Sequence, residues 1–142
     1  MKYYILVLAL SFAFFIAAEA SEETKESKMK IKVLSNGKTS LFQLNNSTAS
    51  KSLYGQLPLK LKVKDYSDDE KIFYPPKKLD TSDTPSANGR TGTLAYYAPW
   101  GDVVMFYKDF GTASGLYELG QSISGTDNIK HMSGIIEIYK HK

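Results

Sequence analysis

The residues best equipped to meet a ligand are aromatic. Tyr96, Tyr97, Trp100, Phe106, Tyr107 and Phe110 fall in one short stretch, and the whole chain holds ten tyrosines and seven phenylalanines in 142 residues. A small domain cannot enclose so many rings, and a tyrosine hydroxyl needs water or a partner, so part of this surplus must reach a surface. Arg90, the sole arginine, lies just upstream in Asn88-Gly89-Arg90-Thr91-Gly92. A turn at Pro99-Trp100-Gly101 would set the indole beside the long Pro75–Gly92 segment, giving a groove with Arg90 as its fixed cation. Ligand sites commonly combine apolar walls with a few placed polar groups. The candidate binding residues are therefore Arg90, Tyr96, Tyr97, Trp100 and Tyr107. The competing reading makes Phe106 and Val103–Met105 plain core and Trp100 a cap on one end of the fold.

Reactive chemistry is otherwise scarce. With no cysteine there is no disulfide, thiol nucleophile, thiolate metal site or lipid-modified N-terminal cysteine. Gly37-Lys38-Thr39 resembles the end of a phosphate-binding loop, but Lys32 stands where the earlier glycine belongs, and a hairpin turn explains the triplet better. Gly111-Thr112-Ala113-Ser114-Gly115 is one residue out of register for a nucleophile elbow. Asp65, Asp68, Asp69 and Glu70 cluster, yet without the alternate ligands and central glycine of a calcium loop, and so read as a solvated hairpin tip. His131 and His141 lack a third partner for zinc. No catalytic residue, metal ligand or cofactor is assigned.

Charge points to no nucleic acid. The formal net charge is +3, and although Lys30, Lys32, Lys60, Lys62 and Lys64 would form a basic stripe if their strands were neighbours, no aromatic residues are interleaved with them for stacking on bases. The stripe serves solubility in the simpler reading and an anionic envelope surface in the bolder one.

These residues must be positioned by a chain with two parts. Lys2, the apolar run from Ile5 to Ala18 and the small-x-small triplet Ala18-Glu19-Ala20 form a signal peptide over residues 1–20, too short for the roughly 20-residue span of a bilayer. The mature chain would begin at Ser21, secreted or periplasmic, with no transmembrane anchor. Residues 21–28 are a flexible lead-in and 29–142 a single domain. There the pattern is mainly period two, the mark of half-buried strands. Met29, Ile31 and Val33 alternate with lysines, Asn36-Gly37 offers a hairpin turn, and Thr39–Leu44 returns. Asn46 or Ser47 caps a short helix carrying Ala49, Leu53 and Leu57, ended by Pro58. Leu59–Lys64 and Lys71–Tyr74 are expected to pair as a second hairpin. After the proline-rich Pro75–Gly92 loop come strands at Thr93–Tyr97, Asp102–Tyr107, Leu116–Gly120 and Ile135–Tyr139, with a helical turn at Thr126–His131. The near-continuous Val103–Tyr107 run implies burial on both faces. Eight or so short strands with one or two small helices predict a mainly β, closed barrel.

The order of short motifs carries a resemblance. The lysine-alternating strand is followed by Asn46-Ser47-Thr48-Ala49, Gln56-Leu57-Pro58-Leu59, Asp65-Tyr66 and Glu70-Lys71. Then come Gly92-Thr93-Leu94-Ala95-Tyr96-Tyr97, Pro99-Trp100-Gly101-Asp102, Phe106-Tyr107 and Gly115-Leu116-Tyr117-Glu118-Leu119-Gly120. From Met29 to Tyr139 the chain resembles the bacterial cyclophilin-like family, domains with the cyclophilin barrel but without the prolyl isomerase sequence. The resemblance implies an eight-stranded β-barrel flanked by two helices. It does not imply isomerase activity, because the Phe-x-Arg element of true cyclophilins has no counterpart around Arg90. The expected function is a non-catalytic binding module for a peptide or small amphipathic ligand. A divergent prolyl isomerase and an envelope component using the lysine face are the alternatives.

Overall fold

In the computed structural model, which describes residues 27–142, the alternation of lysine with Ile31 and Val33 becomes strand β1 (Lys30–Ser35), with Ile31 and Val33 fully buried. The expected signal peptide and most of the lead-in lie outside the described residues. Asn36 and Gly37, both at positive φ, turn the chain into β2 (Lys38–Leu44), antiparallel to β1. This is the primed hairpin geometry that Asn-Gly favours. Ser47 caps helix α1 (Thr48–Tyr54), its hydroxyl accepting from the Ser50 amide, and Ala49 and Leu53 fix the inward face. The helix ends at Gly55, short of Pro58.

The remaining strands are β3 (Leu59–Lys62), β4 (Lys64–Tyr66), β5 (Glu70–Phe73), β6 (Thr93–Tyr97), β7 (Asp102–Phe106), β8 (Leu116–Ser124) and β9 (Ile135–His141), with a 3-10 turn at Thr126–His131. They form one nine-stranded sheet in the order β3-β9-β1-β2-β8-β6-β7-β5-β4. The two ends of that order, β3 and β4, are consecutive in the chain with only Val63 between them. The sheet therefore comes round on itself as a nearly closed barrel, stitched by the segment Leu59–Tyr66. Val63 makes the break, its amide donating to the Gly134 carbonyl at 2.9 Å and its side chain buried.

This break corrects two expectations. The second hairpin is only half formed as expected, since Lys64–Tyr66 pairs with Glu70–Phe73 while Leu59–Lys62 pairs with β9. Splitting that strand also gives nine strands where eight were expected. The loop expected over Pro75–Gly92 is held to the barrel by backbone bonds, from Ala87 N–H to the Leu116 carbonyl at 2.9 Å and from Gly89 N–H to the Gly111 carbonyl at 2.7 Å. Its own Leu79 and Ala87 are buried.

Two hydrophobic layers result. The barrel interior holds Phe42, Leu44, Leu94, Val103, Met105 and Leu119, among others, and Leu53 of α1 and Ile129 of the 3-10 turn join them. A second, smaller cluster of Ile72, Ala87, Ala95, Val104, Phe106 and Leu116 lies on the outer wall. Alternation along β7 explains both: Val103 and Met105 point in, Val104 and Phe106 point out, and the whole strand is buried as expected.

Glycine matters most where β2 and β8 touch. A Cβ on Gly120 would lie 2.1 Å from the Gln43 carbonyl oxygen, whereas one on Gly37 would meet nothing within 4 Å and only strain a positive φ. Gly37→Ala is expected to cost ~1 kcal/mol, and Gly120→Ala more, ~2–3 kcal/mol, because backbone must move. Urea denaturation of the two variants checks the order; equal losses would show that β8 can shift freely away from β2.

Candidate ligand pocket

The outward side chains of β5, β6, β7 and the head of β8 stand side by side. Ile72 and Ala95 flank Val104, and Tyr97 sits across from Asp102 on one side and Leu116 on the other. The β6–β7 turn is drawn tight by Trp100 and Gly101 amides that both donate to the Tyr97 carbonyl, at 3.2 and 2.8 Å. It rests on Gly115, just before β8, whose φ of +83° and lack of a side chain admit Pro99; a Cβ there would lie 2.8 Å from the proline ring. Glycine at this one position lets the turn lift Trp100 over the outer wall.

Between the turn, the tip of β4–β5 and the β7–β8 connection lies a cavity of about 210 Å³. Tyr66, Tyr97, Trp100, Phe106 and Phe110 wall it, and Glu70 and Asp102 supply its charge. Trp100 meets Tyr66 and Tyr97 edge-on, with ring centroids 5.1 and 5.4 Å away, while Phe106 and Phe110 stack at 5.2 Å. Such ring pairs hold their geometry beyond what simple burial gives. Trp100 is 51% exposed and Phe110 47%, so the rim faces solvent while Phe106 beneath it is buried.

The two carboxylates are unusual. Asp102 is 1% exposed and its Oδ1 has no hydrogen-bond partner among the described residues. Burial raises its pKa, offset in part by a hydrogen bond from its own backbone amide. Glu70 is 8% exposed, and burial, with the neighbouring charges of Asp69 and Asp102, pushes its pKa up to about 7. Desolvation disfavours the charged form of an acid, and a second negative charge adds to the effect. The basic side chains of the surrounding segments are engaged elsewhere. Lys71 pairs with Asp65, Lys108 with Asp68 at 3.3 Å, and Arg90 with Asp109 at 3.7 Å.

Of the residues expected to bind, Tyr97 and Trp100 line this cavity. The other three lie apart from it. Tyr96 follows the opposite phase of β6 and is buried, its hydroxyl accepting from the Leu79 amide at 3.2 Å. Tyr107 packs against the barrel interior, out of phase with Phe106. Arg90 is turned to Asp109 at the surface, so the groove does not have it as a cation. Glu70, expected in a solvated hairpin tip, is instead buried, and Asp102 was not among the residues expected to bind. The available signal was a carboxylate at the head of each of two apolar strands, Glu70 before Ile72-Phe73 and Asp102 before Val103–Phe106.

The other candidates disperse. Strand β9 separates the lysines of β3 from those of β1, and Glu137 on it reaches Lys60 at 3.8 Å and accepts from the Tyr139 hydroxyl at 2.7 Å. Among the described residues no group of three histidines or carboxylates is placed to hold a metal ion, and no helix is long and apolar enough to cross a membrane.

Fold and site together define a small antiparallel barrel whose cavity lies on the outer wall rather than along the axis. The sequence matches the cyclophilin-like family over residues 33–138, and the chain belongs to that family. Among solved structures it is similar to a hypothetical protein from Archaeoglobus fulgidus determined in solution, at 14% identity and a TM-score of 0.61, covering 80% of this chain and 95% of that one. At such identity the likeness shows the fold alone. No curated protein matches the chain.

Glu70 makes stability depend on pH. Between the ordinary value of 4.5 and the folded value of about 7, the native state keeps a proton that the unfolded chain has released. The contribution of this group is therefore full below the lower value and lost as pH rises through the upper one, by ~1–3 kcal/mol. Chemical denaturation across this range should show the decline in the native protein and a flatter profile in Glu70→Gln. An unchanged slope in the variant would place the titration elsewhere.

Proposed function

We propose that the protein is an exported, non-catalytic binding module of the cyclophilin-like family, and that its outer-wall pocket seats one side chain of a peptide or the headgroup of a small amphipathic ligand. The observation that carries this reading is the pairing of a solvent-facing aromatic rim with a buried Asp102 carboxylate whose Oδ1 has no hydrogen-bond partner among the described residues. Both features cost stability in the free protein, which is the usual condition of a surface shaped for something else. A volume of about 210 Å³ suits a single group better than an extended segment. Export is supported by the basic start, short apolar run and Ala18-Glu19-Ala20 triplet.

A prolyl isomerase needs a cation facing the substrate amide, and the pocket offers carboxylates while Arg90 is paired with Asp109. The lysine-face reading is weakened by Glu137 standing between the lysine strands. Trp100, the sole tryptophan, reports on the site directly. In a fluorescence and amide-shift screen of the chain from Ser21, small amphipathic compounds should perturb Trp100, Phe110 and Ala113, and Trp100→Ala should weaken binding by roughly tenfold or more. Perturbation confined to other surfaces, or turnover of a proline peptide above the uncatalysed rate, would sink the proposal. Amino-terminal sequencing of the exported protein should begin at Ser21.

A further inference from the structure

The chemistry of the pocket narrows what it can receive. Its charged atoms are all acceptors, contributed by Glu70 and Asp102, and no lysine or arginine lines it. Lys71, Lys108 and Arg90 pair with Asp65, Asp68 and Asp109, and Lys64 on β4 lies over the Tyr74 ring, so among the described residues no ion pair reaches the two pocket carboxylates. A carboxylate held out of water is stabilised by an opposite charge and by hydrogen-bond donors. Aromatic residues make up the rest of the wall, and rings attract cations through their negative faces while offering nothing to an anion. A hard metal ion would want several close oxygen ligands, and most of this wall is ring carbon, valine, alanine and leucine.

Resting on the reading of this cavity as a ligand site, we propose that the group it receives is an organic ammonium ion, held between the Glu70 and Asp102 carboxylates and the Tyr66, Tyr97 and Trp100 rings. A lysine side chain and a free amine present the same chemistry. The raised pKa of Glu70 accords with this, since an arriving cation would favour its ionised form.

The test titrates the chain from Ser21 with choline, with N-acetyl-lysine methylamide and with the uncharged isostere of choline in which carbon replaces the quaternary nitrogen. Trp100 emission and the amide shifts of Ala113 and Leu116 are followed. At least one ammonium probe should bind about tenfold or more tighter than the isostere. Asp102→Asn should erase that preference while leaving isostere binding in place. Glu70→Gln should reduce it, and serves as the second variant if the first does not fold. Preference for choline assigns a small quaternary ammonium compound and preference for the lysine derivative a peptide-borne primary ammonium. Equal binding of the isostere, or displacement of choline by calcium or magnesium chloride at the same amides, would overturn the ammonium assignment while leaving the pocket a ligand site. No response from any probe, charged or uncharged, would overturn the ammonium assignment, and a screen that likewise finds nothing at Trp100 would remove the pocket reading with it.

Discussion

A strand buried on both faces needs two covers, and β7 is such a strand. Its inner cover is the barrel core around Val103 and Met105. Its outer cover has to be built from segments that are not strands, and the chain builds it from Pro75–Gly92 and the connection before β8. Gly89 and Gly111 exchange backbone bonds, Pro85 accepts from Glu118, and Ala87 donates to Leu116, so these two segments lie against the outer wall as a second skin. The skin leaves an opening lined by Glu70, Asp102 and Val104. The pocket is the gap in it.

Leaving two acids at the edge of an apolar layer is costly. Desolvation raises both pKa values, and Asp102 finds only its own amide. Lys71 avoids this expense: although nearly buried, it is matched directly across the β4–β5 ladder by Asp65. The contrast lies between adjacent residues of one strand. Lys71 shows that a partner can be provided on β5, and Glu70 beside it has no ion-pair partner among the described residues.

Period-two alternation made much of the fold legible. The Asn36-Gly37 turn, the Ser47 cap, the double burial of β7 and the 3-10 turn were all readable from local chemistry. The split at Val63 was not, because Leu59 to Lys64 carries an unbroken alternation and nothing in it says that the first half pairs with β9 and the second with β5. At the site, the same alternation could have separated Tyr96 from Tyr97 and Phe106 from Tyr107, since neighbours on a strand face opposite ways. Trp100 was legible as a turn residue. Glu70, at the end of an acidic hairpin tip, and Asp102, after a turn, were hidden because acids at such places ordinarily meet water; only the tertiary fold buries these two.

The segment that stitches the barrel has a further effect. By pairing with β9 along one half and β5 along the other, it divides the sheet's loose margin into two pieces, of four residues in β3 and three in β4. Lys60, Lys62 and Lys64, all exposed, are spaced along those pieces. A strand from another molecule approaching either piece would run out of backbone partners within a few residues and meet positive charge while doing so. The bend at Val63 thus guards against edge-to-edge stacking, a safeguard of particular use to a domain that has no disulfide to hold it during partial opening.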